Sequence, residues 1–110
     1  MSATIYVKSS HEESDIVHLV KSAIEAEIAR YELALEMASN RLRPFEQKYQ
    51  VTSEYFIAHL TAEDLDGHDE EYVRWAGEYH LKQRLEQKLQ QLREIEYGHP
   101  DVLQSPERGD

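Results

Sequence analysis

One apolar seam constrains this chain more than any other feature of its sequence. Eight apolar residues follow one another at alternating steps of four and three: Ile24, Ile28, Tyr31, Leu35, Ala38, Leu42, Phe45 and Tyr49. This spacing keeps one face of an α-helix apolar over more than three heptads. The seam predicts a helix of about 37 residues from Asp15 onward, which is roughly 55 Å at 1.5 Å per residue.

Pro44 is the one residue that conflicts with a continuous helix. It removes a backbone donor, and its ring clashes with the carbonyl four residues earlier. Because Phe45 and Tyr49 keep the phase of the seam, we predict a kinked but continuous helix. Before it, residues 4–8 are rich in β-branched and aromatic side chains and predict a possible short strand, which needs a pairing partner to be stable. Two sets of residues are equally good N-caps for this helix. One is Ser9 or Ser10, and the other is Ser14 or Asp15.

A short helix and a second long helix are predicted in the rest of the chain. Thr52 or Ser53 caps residues 54–60, whose side chains Tyr55, Phe56 and Leu60 are expected to point inward. Residues 61–68 form a corner, and Asp69 is the expected cap of the last helix, which stops near Gly98 and Pro100. The apolar positions of this helix are Tyr72, Trp75, Ala76, Tyr79, Leu81, Leu85, Leu89, Leu92 and Ile95.

These elements predict an all-α fold, a long antiparallel helical hairpin with a short connecting helix. Residues 1–98 form one domain, and residues 99–110, with few apolar anchors, are expected to be a flexible tail. Several apolar residues lie off the two packing stripes: Val17, Val20, Leu33, Met37 and Leu81. This surplus predicts a second burial surface, covered either by a homodimer that forms a four-helix bundle or by a different chain.

Composition excludes several classes of function. The 110 residues carry a formal net charge of −10, which argues against direct nucleic-acid binding, because that affinity rests on Lys and Arg. There is no cysteine, so no disulfide, thiolate zinc site or cysteine nucleophile is expected. No secretory signal or membrane span is recognisable, so we expect a cytoplasmic protein that does not bind membranes.

The acidic stretch "TAEDLDGHDEEYVRWAG", residues 61–77, raises the question of chemistry. A calcium loop starting at Asp64 requires glycine at its sixth position and glutamate at its twelfth, where this chain has Asp69 and Trp75. No pair of Glu-x-x-His motifs, nucleophile elbow or phosphate-binding glycine loop is present. We therefore expect no metal, no cofactor and no enzymatic activity. The stretch is either a solvated helix corner or the docking site of a cationic partner.

The aromatic residues after the corner allow two interpretations. Tyr72, Trp75 and Tyr79 are spaced as one helical stripe and fit core packing against Phe45, Tyr49 and Phe56. Because Trp and Tyr dominate interface energetics, part of the stripe is alternatively an anchor for a partner.

Two blocks, "RPFEQKYQVTSEYFIAHL" at residues 43–60 and "DLDGHDEEYVRWAGEYHLKQRLEQKL" at residues 64–89, carry a resemblance to a family of short helical prokaryotic proteins. The matching positions are Phe45, Glu46, Lys48, Tyr49, Val51, Thr52, Ser53, Glu54, Phe56, Asp66, Asp69, Tyr72, Trp75, Ala76 and Leu85. The family corner usually reads Gly-Glu-Leu-Gly-Asp, and this chain departs from it at residues 62–67. Members are encoded beside small TumE-type toxin-like proteins and are inferred to be their antitoxins.

The resemblance implies a non-catalytic, antitoxin-like protein that binds and neutralises a small basic toxin-like protein. The residues expected to bind the partner are Asp64, Asp66, Asp69, Glu70, Glu71, Trp75 and Tyr79. Their carboxylates would occupy a basic surface in place of phosphates, and their aromatic rings would anchor the complex. The alternative is a homodimeric helical structural or adaptor module without a toxin partner.

Overall fold

A computed structural model describes residues 2–97 of the chain, and all the regular structure among them is helical. Helix α1 is Glu13–Tyr49, α2 is Ser53–His59, a single 3₁₀ turn is Ala62–Leu65, and α3 is Asp69–Arg93. Helices α1 and α3 pack against each other in antiparallel directions, and α2 and the 3₁₀ turn close the end where the chain reverses. The predicted all-α hairpin with a short connecting helix is confirmed. The molecule measures 62 × 30 × 18 Å.

Helix α1 runs through Pro44 without interruption, as predicted. It ends at Gln50, which adopts a left-handed conformation with φ 57°. Its start differs from the prediction, because Glu12 holds the cap position and no side chain there accepts a backbone hydrogen bond. Helix α2 is capped by Thr52, whose hydroxyl accepts a hydrogen bond from the Tyr55 amide at 3.0 Å, so one of the two predicted caps is confirmed.

The predicted seam faces α3. Ala38 and Leu42 are buried, and the other seam residues are partly buried. Two ion pairs on the rim of this interface fix the register: Arg41 with Glu78 at 2.8 Å, and Arg93 with Glu32 at 2.6 Å. Exposed pairs of this kind contribute little stability, about 0–1 kcal/mol each. The register shows that α3 ends opposite Glu32, so the first half of α1 extends beyond it.

The core lies at the closed end of the hairpin. Its buried members come from every helical element: Leu42, Phe56, Leu65, Trp75 and Tyr79. Three expectations about this half of the chain were wrong. Tyr55 points outward, because Phe56 occupies the position in α2 that faces the core. Asp69 is the first residue of α3, and His68 holds the cap position without a side-chain hydrogen bond.

The third correction concerns the end of α3, which lies at Arg93 rather than near Gly98. Leu89 is the last buried apolar residue, Leu92 is partly buried and Ile95 is exposed. The tertiary packing that would stabilise a longer helix therefore ends near Leu92. Gly98, Pro100 and the predicted tail at residues 99–110 lie outside the described residues.

Residues 4–8 do not form a strand. Ile5, Tyr6 and Val7 are exposed, and within residues 2–97 there is no strand beside which they could pair. A single strand has no hydrogen-bonding ladder, so β propensity alone does not fix its conformation.

Candidate functional site

Trp75 organises the closed end of the hairpin and is fully buried, with 0% of its surface exposed. The Phe56 ring stacks on the indole with centroids 3.8 Å apart and an interplanar angle of 1°. Phe45 and Tyr49 from α1 stack at 5.5 and 5.6 Å. Buried aromatic rings contribute large apolar areas, so this cluster binds α1, α2 and α3 together.

The polar edge of Trp75 is satisfied inside the protein. Its indole Nε1 donates a hydrogen bond to Ser53 Oγ at 2.8 Å. Ser53 is itself fully buried, and its hydroxyl donates to Glu46 Oε2 at 2.6 Å, while its amide donates to the same oxygen at 3.1 Å. Thus Glu46 of α1 holds the first residue of α2, and Ser53 in turn fixes the rotation of the indole.

This geometry corrects the expectation that Trp75 and Tyr79 are exposed anchors. Trp75 has no accessible surface, and Tyr79 is also buried against the core. Burial, reinforced by the nearby Glu54 and Glu86 carboxylates, raises the pKa of the Tyr79 phenol above its ordinary value. Of the two interpretations of the aromatic stripe, core packing is the one that the structure supports.

The corner between α2 and α3 uses some of its carboxylates for its own structure. The Thr61 amide donates to Asp64 Oδ2 at 2.7 Å, which closes the 3₁₀ turn around the buried Leu65. Asp66 and Gly67 then adopt φ values of 55° and 85°. Asp is one of the few residue types other than glycine that occupies this region readily. These two residues turn the chain into α3.

Glu71 ties the start of α3 to the end of α1. Its carboxylate accepts hydrogen bonds from Lys48 Nζ at 2.8 Å and from the Tyr49 hydroxyl at 2.5 Å. The Lys48 hydrogen bond, followed by that of Tyr49, holds the pKa of Glu71 below its ordinary value. The same contact raises the pKa of Lys48 and of Tyr49. Glu71 is therefore a structural carboxylate as well as a member of the predicted site.

The remaining carboxylates of the corner are exposed. Within residues 2–97, the side chains of Glu63, Asp66, Asp69 and Glu70 make no ion pair and no side-chain hydrogen bond. Asp69 and Glu70 lie in the first turn of α3, where the helix dipole favours negative charge. A shallow surface hollow beside them is lined by Gly67, His68, Asp69, Glu70, Glu71 and Arg74.

Two further residues continue this exposed face along α3. Val73 is 69% exposed, and Gly77 lies one turn later on the same side of the helix. A Cβ atom at Gly77 would meet no other atom of the described part of the chain within 4 Å. Packing within the chain therefore does not require glycine here, although glycine in a helix interior costs about 0.5–1 kcal/mol relative to alanine. Neither residue was predicted from the sequence, where a glycine in the middle of a helical pattern was the available signal.

We name this surface the corner face: Glu63, Asp66, Asp69, Glu70, Val73 and Gly77. It retains three of the seven residues expected to bind a partner and replaces buried Trp75 and Tyr79 with exposed Val73 and Gly77. Asp64 and Glu71 lie beside it but are engaged in the structure. No three His, Asp or Glu side chains of the described residues are close enough together to hold a metal ion. None of the helices described is long and apolar enough to cross a membrane.

Comparison of the chain with protein-family models, with curated proteins and with solved structures gave no match.

Proposed function

We propose that this chain is a non-catalytic binding protein that captures a small basic protein on its corner face. The observation that carries the proposal is that carboxylates without an ion pair in residues 2–97 lie on the same surface as a small, exposed apolar patch. Asp66, Asp69 and Glu70 supply the charge, and Val73 and Gly77 supply the patch.

The charge of the corner face suits a cationic partner. Acidic residues gathered at one end of an elongated molecule attract a basic protein over several ångströms and raise the association rate. Within residues 2–97, no basic side chain forms an ion pair with the carboxylates of the corner face. Glu71 differs from them, because Lys48 already neutralises its charge. The partner's Lys and Arg side chains would therefore pair with Asp66, Asp69 and Glu70 at little cost to the fold.

The apolar patch supplies what charge alone does not. Val73 offers a side chain that a partner can cover, and Gly77 lets the partner's chain approach the α3 backbone closely. The indole cluster beneath holds α3 in place, so the face is formed before binding. A preorganised surface loses less conformational entropy on association, which raises affinity.

The resemblance of the two sequence blocks supports a particular class of partner, a small toxin-like protein of the TumE type. If such a toxin acts on RNA, it carries a basic surface, and the carboxylates of the corner face would occupy it in place of phosphates. On this proposal the chain is an antitoxin-like protein of the cytoplasm that works by occlusion and needs no cofactor. A direct nucleic-acid contact is not part of the proposal, because the free charges of the face are negative.

The first test removes charge from the corner face. The triple variant Asp66→Asn, Asp69→Asn and Glu70→Gln is compared with a control triple variant, Glu36→Gln, Glu86→Gln and Glu96→Gln, which changes net charge equally at exposed positions elsewhere. Capture of the protein encoded by the neighbouring gene is measured by copurification and by binding kinetics at several salt concentrations. We expect at least a tenfold loss of association rate for the corner variant and little change for the control. Equal effects of the two variants would contradict the proposal.

The second test blocks the patch without changing charge. Gly77→Leu places a bulky side chain on the corner face, where the protein itself leaves room. Gln91→Leu adds the same side chain at an exposed position near the far end of α3 and serves as the control. We expect Gly77→Leu to abolish capture while circular dichroism shows unchanged helicity. Full capture by this variant would show that α3 is not part of the binding surface.

A further inference from the structure

We propose that two copies of this chain associate through the outer face of α1, in antiparallel orientation. The outer face is the side of α1 opposite the seam. Its large members are well exposed: Leu19 at 61%, Leu33 at 58% and Met37 at 50%. Ala26 lies between them, also exposed, and spacings of seven, seven and four residues place all four in one line along the helix.

Among residues 2–97, the fold of the single chain leaves this face open. Helix α3 occupies the seam on the other side of α1, and it ends at Arg93, opposite Glu32. Helix α1 therefore carries apolar side chains on two opposite sides, and the hairpin covers one of them. A helix that is apolar on both sides is normally buried between two neighbours. Of the apolar residues predicted to lie off the packing stripes, Leu33 and Met37 are exposed, whereas Val17, Val20 and Leu81 are partly buried within the chain.

The sizes of the side chains indicate what covers the outer face. Small residues lie in its middle, at Ala23 and Ala26, between the large Leu19 at one end and the large Leu33 and Met37 at the other. An antiparallel second copy places Leu19 against the partner's Met37 and Ala23 against the partner's Leu33. The large Leu33 then meets the small Ala23 near the middle of the interface, and Leu19 and the partner's Met37 pack on each other toward its ends. A parallel pair would set Leu33 against the partner's Leu33 and leave a gap where alanines face alanines.

Charge supports the same orientation. The N-terminal end of α1 carries Asp15 on the outer side, and the C-terminal part carries Arg43. Neither forms an ion pair with any residue of the described part of the chain. The antiparallel register brings Asp15 to within about two residues, roughly 3 Å along the axis, of the partner's Arg43, and the reverse contact follows by symmetry. A parallel register would bring like charges together.

Arg30 is the one charged residue near the centre of the proposed interface. Its guanidinium is held by Glu27 of its own chain, with Nε and a terminal nitrogen at 3.0 and 2.6 Å from the carboxylate. The same group lies over the Tyr31 ring at 5.4 Å from its centroid. The charge is therefore directed to the flank and already neutralised, and the aliphatic stem is left to pack against the partner's Ala26.

The proposed dimer is independent of the corner face. The outer face belongs to α1, and the corner face belongs to the 3₁₀ turn, the corner and α3. An antiparallel dimer would place the two corner faces at its opposite ends, so each copy stays able to capture a basic protein. The four long helices would lie side by side in one layer, with the two α1 helices in the middle and one α3 helix on each outer side, rather than around the single shared core of a four-helix bundle.

Sedimentation of the full chain tests the association directly. We expect a dimer that the double variant Leu33→Glu and Met37→Glu converts to monomer, with at least a hundredfold rise in the dissociation constant and unchanged helicity. Val73→Glu makes the same kind of change on α3 and should leave the dimer intact. A monomeric wild-type chain at 100 μM, or a dimer unaffected by the double variant, would overturn the proposal.

Orientation is tested by disulfide formation, since the chain has no cysteine of its own. One chain carries Leu19→Cys and the other carries Met37→Cys. We expect the mixed disulfide to form in several-fold excess over either homodisulfide, because the two positions face each other only in the antiparallel pair. Predominant Leu19→Cys homodisulfide would show a parallel dimer and overturn the proposal. A monomer that still captures the basic protein would count against the dimer alone, and a dimer that captures nothing would count against the corner face alone.

Discussion

The indole of Trp75 donates its only hydrogen bond to the hydroxyl of Ser53, at 2.8 Å, in the interior of the protein. The Ser53 hydroxyl in turn donates a hydrogen bond to Glu46, so a side chain from each long helix is joined through the first residue of α2. Among residues 2–97, no buried side-chain nitrogen or oxygen lacks a partner. A fully satisfied polar chain of this kind fixes the relative position of three helices beneath the corner face.

Ser53→Ala is expected to destabilise the protein by about 1–3 kcal/mol, because it leaves the buried Trp75 N–H without an acceptor. Urea unfolding followed by the fluorescence of the single tryptophan measures the change. In a Trp75→Phe background, followed by circular dichroism, the same substitution should cost less, since no indole N–H is left to be satisfied. Equal costs in the two backgrounds would show that the Trp75–Ser53 hydrogen bond contributes nothing.

Phe56→Ala is expected to cost about 3–5 kcal/mol, because it removes a fully buried ring that stacks on Trp75. The adjacent Tyr55→Ala is the matched control. Tyr55 is about half exposed and contacts His59 on the surface, so its loss should cost under about 1 kcal/mol. Thermal unfolding of both variants distinguishes them. Similar losses would mean that α2 is rotated relative to the arrangement described.

Glu71→Gln is expected to remove a stabilising contribution that depends on pH. The pKa of Glu71 is lower in the folded protein than its ordinary value of 4.5, chiefly through Lys48. The contribution is therefore fully present above about pH 4.5 and is lost as the pH falls through the folded pKa. Wild-type stability should exceed that of the variant at pH 7, and the two should converge on acidification.

Urea unfolding at pH 7, 5, 4 and 3 measures this convergence. Glu70→Gln, which removes a carboxylate of the same turn that has no partner within residues 2–97, serves as the control and should change stability less at pH 7. A constant difference between wild type and Glu71→Gln across the range would contradict the role assigned to the Lys48 contact.

Gly77→Ala is expected to stabilise the protein by about 0.5–1 kcal/mol. The added methyl group meets nothing within 4 Å, and alanine loses less backbone entropy than glycine in a helix. Chemical denaturation gives the change in unfolding free energy. Gly67→Ala is the contrasting variant and should destabilise, because Gly67 has φ 85°. A destabilised Gly77→Ala variant would show that the α3 backbone has a steric constraint not visible among the described residues.

The sequence determined the architecture because one apolar seam outweighs local signals. Alternating steps of three and four commit residues 24–49 to one helical face, and this regularity carries the helix through Pro44. The cap at Thr52, the acidic first turn of α3 and the burial of Phe56 also follow from local chemistry. The helix ends were less predictable, because the packing that stops α3 at Arg93 depends on where its apolar contacts with α1 run out.

The tertiary structure alone decided which residues are free to act. A stripe of aromatic residues has the same spacing whether it faces a core or a partner, and only the stacking of Phe45, Tyr49 and Phe56 places Trp75 inside. Likewise, the six carboxylates of residues 61–77 are equivalent in sequence, yet Asp64 closes a turn and Glu71 is held by Lys48. Such roles arise from contacts between residues distant in the chain, such as Lys48 and Glu71, or Ser53 and Trp75, and local periodicity carries no information about them.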